Sequence, residues 1–191
     1  MEESDFLLDS EFSLISVNPN DEIVDFEQYI DSVYYVRLEL GYESIIGRID
    51  KVLVFENNIY ILDGQTSSIF VFDMNGRYVS KICKIGNGPG EYNKLYYFDI
   101  DIEKRHIVVT DLVTYWNIRY DMNGKYLSRK RIPINTGGFA PISNGKYVSF
   151  SRFFDNSGFY DPEYNIFYLD SMMRVEKAFF LYKLSYLFSC E

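Results

Sequence analysis

Short apolar runs, hairpin-type turns between them and a 48-residue repeat of both predict an all-β fold. The predicted architecture is a partial β-propeller of about three four-stranded antiparallel blades with an N-terminal closing strand. The runs are rich in Ile, Phe, Tyr and Val, whose branched and aromatic side chains suit a pleated, half-buried surface. Asn-Gly pairs and Gly-containing tetrapeptides separate them, because Asn and Gly tolerate the positive φ of tight reversals. The turn Asp73-Met74-Asn75-Gly76 recurs at 121–124, and Asp63 recurs as Asp111, 48 positions on in both cases. A repeat of about 40 to 50 residues with about four strands is the period of propeller blades, since one small sheet buries its faces only when neighbours stack on it.

The 191 residues are 25% charged and 18% aromatic, enough apolar material for a core and unlike a disordered chain. A net charge of −9 weighs against a non-specific nucleic-acid binder, which needs a basic footprint to neutralise phosphates. Lys125, Arg129, Lys130 and Arg131 form the one basic cluster and fall on what reads as a solvated outer strand. No run reaches the 18 or so apolar residues of a membrane helix; 179–188 comes nearest and Lys183 interrupts it. The N-terminus lacks a basic segment followed by an apolar one, so either the protein is cytoplasmic or its leader lies outside this chain. Cys83 and Cys190 give no disulfide framework and read as free thiols.

In chain order, residues 1–31 form a polar, acidic extension, 32–183 the incomplete propeller domain and 184–191 a C-terminal tail. Ser32 to Leu40 alternates as a strand without a nearby hairpin partner, which suits ring closure. The first blade runs through Ile45–Glu56, Ile59–Asp63, Ser68–Asp73 and Tyr78–Ile82, and Gly86–Tyr92 connects it to the second. The second blade begins with Leu95–Ile102, turns at Glu103–Arg105 and repeats the same pattern from Ile107 to Ile132. The third is looser: Phe139–Ser143 and Lys146–Ser151, an insertion at 152–163, then Tyr164–Asp170 and Arg174–Lys183. Asp170 takes the place of Asp121, although Ser171-Met172-Met173 has lost the Asn-Gly.

The run IIGRIDKVLVFENNIYILD, then FVFDMNGRYVSKI, then GNGPGEY, resembles bacterial six-bladed β-propeller proteins related to NHL and TolB-like repeats, over about Ile23 to Lys183. That resemblance implies a propeller that binds a ligand or partner, periplasmic or on the outer surface and lipoprotein-like; it implies no reaction. Three blades against six leave three arrangements: a truncated product, two copies completing one ring, or blades supplied elsewhere. The apolar end at 187–191 favours the first.

In an up-and-down blade, the second-to-third turns and the blade connectors share one face of the disc. That face collects 63–68, 86–92, 111–116, 133–138 and the insertion 152–163, and functional residues concentrate on loops held by a rigid scaffold. Tyr92, Tyr115, Trp116, Phe154 and Tyr160 are candidates to stack on a glycan or peptide, and Arg48, Asp50 and Glu91 to orient polar groups near the channel. The competing role for each aromatic is packing between blades. The alternative function is a propeller hydrolase or lyase with channel-facing carboxylates. Asp99 and Asp101 alternate onto one side of the second blade's inner strand. His106 is the only histidine and reads as a turn or surface residue, so neither a zinc cluster nor a serine triad assembles readily. Asp155, Asn156, Ser157, Asp161 and Glu163 offer oxygens, but not at EF-hand spacing. No catalytic residue, metal or cofactor is assigned; the expected partner is a glycan, peptide or protein.

Overall fold

The computed structural model describes residues 26–151 and 164–181. Two units are distinguished, residues 1–35 and 36–191. In the first, the described residues include one element, a 3-10 turn over Phe26–Tyr29, closed by the Ile30 amide on the Glu27 carbonyl at 3.1 Å. In the second, the described residues form twelve strands in three separate four-stranded antiparallel sheets, with almost no helix. The first sheet comprises β1 (Lys51–Phe55), β2 (Asn58–Asp63), β3 (Ser68–Asp73) and β4 (Tyr78–Ile82). The second comprises β5 (Tyr97–Asp101), β6 (His106–Asp111), β7 (Trp116–Asp121) and β8 (Tyr126–Arg131). The third comprises β9 (Gly138–Pro141), β10 (Tyr147–Phe150), β11 (Tyr164–Leu169) and β12 (Val175–Leu181). Spatial order follows chain order in every sheet, so each is a meander. No helix among the described residues is long and apolar enough to cross a membrane.

One piece of local chemistry makes the three sheets alike. Between the third and fourth strands, Asp73, Asp121 and Asp170 each accept two backbone amides on Oδ1: those of Asn75 and Arg77, of Asn123 and Lys125, and of Met172 and Arg174, all at 2.8–2.9 Å. A short side chain that binds its own turn offers the backbone an alternative to extending the strand, so the chain reverses there. The left-handed residue of the turn is Gly76 at φ 79°, Gly124 at φ 77° and, in the third sheet, Met173 at φ 67°. Losing Asn-Gly therefore did not lose the turn. The Asp170 carboxylate and the buried Met173 side chain hold the same geometry at the cost of an unfavourable φ.

Alternation then sorts the faces. Tyr60, Leu62, Ile69, Val71 and Ile82 of the first sheet meet Phe98, Ile100, Ile107, Val109, Ile118 and Tyr120 of the second in one continuous core. From the opposite face of the second sheet, Val108 joins Ile132, Ile134, Phe139, Tyr147, Phe167 and Leu169 in another. At the end bearing the Asp turns, ion pairs and hydrogen bonds link neighbouring sheets: Arg105 to Glu56 at 3.0 Å, and the Asn144 amide to Glu103 at 3.0 Å.

The expected closing strand Ser32–Leu40 is not a strand. Val36 and Leu38 pack onto the cluster of Ile59, Ile61, Phe70 and Phe72, whereas Tyr34 and Leu40, on the same face by alternation, are exposed. The backbone, however, meets only the tip of the β3–β4 turn: the Glu39 amide donates to the Gly76 carbonyl at 2.7 Å, and the Tyr78 amide to the Glu39 carboxylate at 2.9 Å. Crossing over a turn leaves no ladder to join. The second compact unit begins at Val36. The first strand is also shorter than Ile45–Glu56, because Gly47 and Asp50 bond instead to Asp63 and to the Leu62 carbonyl.

This crossing separates two otherwise matched glycines. A β-carbon on Gly124 would lie 3.0 Å from Ile82 Cγ1, whereas one on Gly76 would collide with the Arg37 carbonyl. Gly124→Ala is expected to cost about 1 kcal/mol, the left-handed penalty alone. Gly76→Ala is expected to cost about 2–3 kcal/mol, because the crossing segment must also move. Urea unfolding of the two variants measures the difference; equal losses would mean that residues 36–39 contribute nothing at this turn.

Candidate functional site

The far end of the sheets is built around two buried carboxylates. At the end of β2, Asp63 accepts the Gln65 and Thr66 amides on Oδ1 (2.9 and 3.2 Å) and the Gly47 amide on Oδ2 (2.8 Å). At the end of β6, Asp111 accepts the Val113 and Thr114 amides on Oδ1, and the Asn93 amide and Thr114 hydroxyl on Oδ2. Each thus closes its own turn and anchors the loop that leads into its sheet. Burial pushes the Asp63 carboxyl up, but the amides of Gly47, Thr66 and Gln65 more than offset this and leave it below the ordinary carboxylate value. The third sheet replaces this Asp with Ser151, whose hydroxyl bonds the Asn165 side chain at 2.9 Å.

Within this end lies a cavity of about 250 Å³ lined by Leu112, Tyr115, Asn135 and Thr136. Tyr115 occupies the last position of the β6–β7 turn in the left-handed region, φ 57°, as Ser67 does in the first sheet at φ 51°. It remains 37% exposed. The Ile132 amide holds the Tyr115 carbonyl at 3.0 Å, and Arg131 Nη1 holds the Thr114 carbonyl at 2.8 Å. The Arg129 guanidinium lies 4.3 Å from the centre of the Trp116 ring, and that of Arg131 lies 5.4 Å from it. Among the described residues the cavity is walled by one aromatic ring, one leucine, an amide and a hydroxyl, with no carboxylate or amine.

Of the residues singled out in the sequence, Tyr115 lines this cavity and Trp116 stands beside it, half-buried against the core between the first and second sheets. Tyr92 does not stack on a ligand: it is completely buried, donates to the Ser67 carbonyl at 2.9 Å and accepts the Lys84 amide at 3.1 Å. Glu91 turns back onto the Gly88 amide at 2.8 Å, capping its own loop. Arg48 and Asp50 pair with each other at 2.8 Å, and Asp50 also accepts the Gly64 amide at 2.7 Å. Phe154, Tyr160 and the oxygen-rich loop 155–163 lie outside the described residues. Leu112, Asn135 and Thr136 were not picked out singly, although the loops that carry them had been assigned to this face.

The carboxylates on which a hydrolase or lyase would depend are also engaged. Lys51 Nζ meets Asp99 at 3.0 Å, the Tyr97 hydroxyl at 2.8 Å and the Phe98 carbonyl at 2.9 Å, tying β1 to β5. Asp101, almost fully buried, accepts the Lys104 amide at 3.0 Å and faces its ammonium at 3.8 Å. Among the described residues, no three His, Cys, Asp or Glu side chains converge as a metal site.

A family model described as "Domain of unknown function (DUF4934)" matches residues 11–190. A comparison with curated proteins finds no match. Among solved structures, the BF0058 protein of Bacteroides fragilis NCTC 9343, given as a candidate exported protein, is similar at a TM-score of 0.71 and 23% identity. The match covers 80% of this chain and 43% of that one. A DUF4221 family member from Bacteroides vulgatus is similar at a TM-score of 0.55 and 12% identity, over 73% of this chain and 44% of that one. The chain therefore spans less than half the length of both structures, and the likeness is one of fold.

Proposed function

Because the chain belongs to the DUF4934 family, whose description states no activity, we propose from its geometry that it is a non-catalytic ligand-binding module of the cell envelope, built as part of a β-propeller. The observation that carries this reading is the Tyr115 cavity: an aromatic ring, an amide and a hydroxyl held at a loop-bearing end by buried carboxylates. Three meanders of identical strand order, stacked face to face, support the propeller reading, with each sheet a blade. Val52 and Val54 stay 48% and 60% exposed beside the covered Ile59 and Ile61, as expected of a first blade that awaits a neighbour from a second copy or from further chain. The description of the Bacteroides fragilis structure supports the envelope location.

Trp116, the single tryptophan, directly follows Tyr115 in the chain and makes the reading testable without a label. Titrating the whole protein with neutral oligosaccharides and uncharged peptides is expected to give a saturable change in its emission. Tyr115→Ala is expected to weaken that response about tenfold, an aromatic contact of about 1.4 kcal/mol. A wild-type protein that responds to no member of either panel at millimolar concentration would exclude this function.

A further inference from the structure

Two buried side chains next to this cavity lack the partners that their chemistry demands. Thr110 and Asn117 face each other across the β6–β7 register and are fully buried. Among the described residues, Thr110 Oγ1 and both Asn117 side-chain atoms, Oδ1 and Nδ2, have no hydrogen-bond partner. Buried polar groups are otherwise paired, because an amide or hydroxyl removed from water without compensation is costly.

The repeat supplies an internal control. Asn117 stands four residues before the turn aspartate Asp121; at the same place before Asp73 and Asp170 stand Ile69 and Ile166. Their cross-strand partners are Leu62 and Phe150. The rung is thus apolar in the first and third sheets, so the fold does not require an amide and a hydroxyl there. A local rule broken in one repeat without structural compensation marks function.

Position says which function. Thr110 and Asn117 lie two residues inward from Leu112 and Tyr115, both of which line the cavity. The third sheet approaches through Thr136, also a lining residue, whose hydroxyl already meets Ser149 Oγ and the Gly138 amide. Thr110 and Asn117 thus stand one rung behind the lining, on the strands that lead to Leu112 and Tyr115.

We propose that Thr110 and Asn117 form the hydrogen-bonding floor of the Tyr115 cavity and select a sugar residue. The inference rests on reading that cavity as a binding site. A carboxamide offers two donors and an acceptor, and a hydroxyl offers both roles, which matches the adjacent hydroxyls of one ring. The Tyr115 ring supplies the apolar surface on which the other face of the sugar packs. Among the described residues no lining side chain is charged, and about 250 Å³ is nearer one ring than the about 300–1,000 Å³ of larger ligand sites.

The test restores the apolar rung. Thr110→Val with Asn117→Leu, and Thr110→Val alone as the shape-conserving variant, are compared with wild type in thermal unfolding and in binding neutral methyl glycosides and uncharged dipeptides. Binding is followed by Trp116 emission and saturation-transfer NMR. The expected result is an unchanged or higher melting temperature with glycoside affinity at least about tenfold weaker in the double variant. A fall of several degrees with unchanged glycoside binding would make the pair a hydrated structural rung and overturn the inference. So would dipeptide binding that Tyr115→Ala abolishes and the double variant leaves intact; the cavity would still be a binding site. A wild type that binds neither probe set removes the binding reading and this inference with it.

Discussion

Replacing Tyr92 by Ala is expected to lower the unfolding free energy by about 4–5 kcal/mol, enough to unfold a marginal domain. The ring is completely buried in the core shared by the first two sheets, next to Leu95 and Phe98, and truncation leaves a cavity that rigid strands cannot collapse. The phenol also joins separate segments. It donates to the Ser67 carbonyl in the β2–β3 turn and accepts the Lys84 amide, while the Tyr92 carbonyl and amide pair with Gly86 and Lys84. Burial pushes its pKa up, so it stays a neutral donor across the working pH range. Tyr92→Phe separates the two contributions, keeping the ring and stranding the Ser67 carbonyl and Lys84 amide, for about 1–2 kcal/mol. Urea unfolding followed by Trp116 emission reads both values. A Tyr92→Ala loss no larger than that of Tyr92→Phe would show that the ring adds nothing to the packing of the two sheets.

Asp111→Ala is the second large effect, about 3–5 kcal/mol. The substitution orphans the amides of Asn93, Val113 and Thr114 and the Thr114 hydroxyl at a completely buried site, and bonds to a charged acceptor are the strong class. Asp63→Ala removes the equivalent group, with three amides in place of three amides and a hydroxyl, and is expected to cost slightly less. Three turn carboxylates set the response to acid. The pKa values of Asp63, Asp73 and Asp170 are all held below the ordinary carboxylate value. For Asp63, burial opposes the shift and the amide donors outweigh it; for Asp73 and Asp170 the leading causes are the amides of Arg77 and Arg174. A folded pKa below the unfolded one means that the unfolded chain binds protons first. The stabilisation is therefore complete above the ordinary carboxylate range and is lost as pH falls below about 4. Unfolding in urea at stepwise lower pH is expected to show this loss, with a shallower slope in Asp63→Asn. An identical slope in that variant would remove Asp63 from the acid response.

Much of the fold is legible in the residues because its signals are local. Asp73-Met74-Asn75-Gly76 and its repeat at 121–124 carry their own hydrogen bonds and their own left-handed glycine, so the turns and the strands on either side follow. The same reasoning read Ser32–Leu40 too far. Of the face that alternation assigned to Tyr34, Val36, Leu38 and Leu40, only Val36 and Leu38 pack on the core, because a ladder needs a partner and the partner here is a turn. The candidate site was legible by region only. Tyr115 lines the cavity, while Trp116 packs against the core and Tyr92, with the same aromatic character, lies inside it; nothing local distinguishes an exposed ring from a buried one.

From its amino acids alone this chain determines its strands, its reversals and its period, because each depends on dihedral preference and side-chain alternation within a few residues. Tertiary structure decided which charges are spent: Lys51 reaches Asp99, a partner in another sheet. It also decided where a cavity opens, between Tyr115 of one turn and Asn135 and Thr136 of the next connector. It left Thr110 and Asn117 unpartnered where the first sheet carries Leu62 and Ile69. Such contacts depend on how whole sheets pack, a free energy summed over many distant side chains, and no short window of sequence contains it.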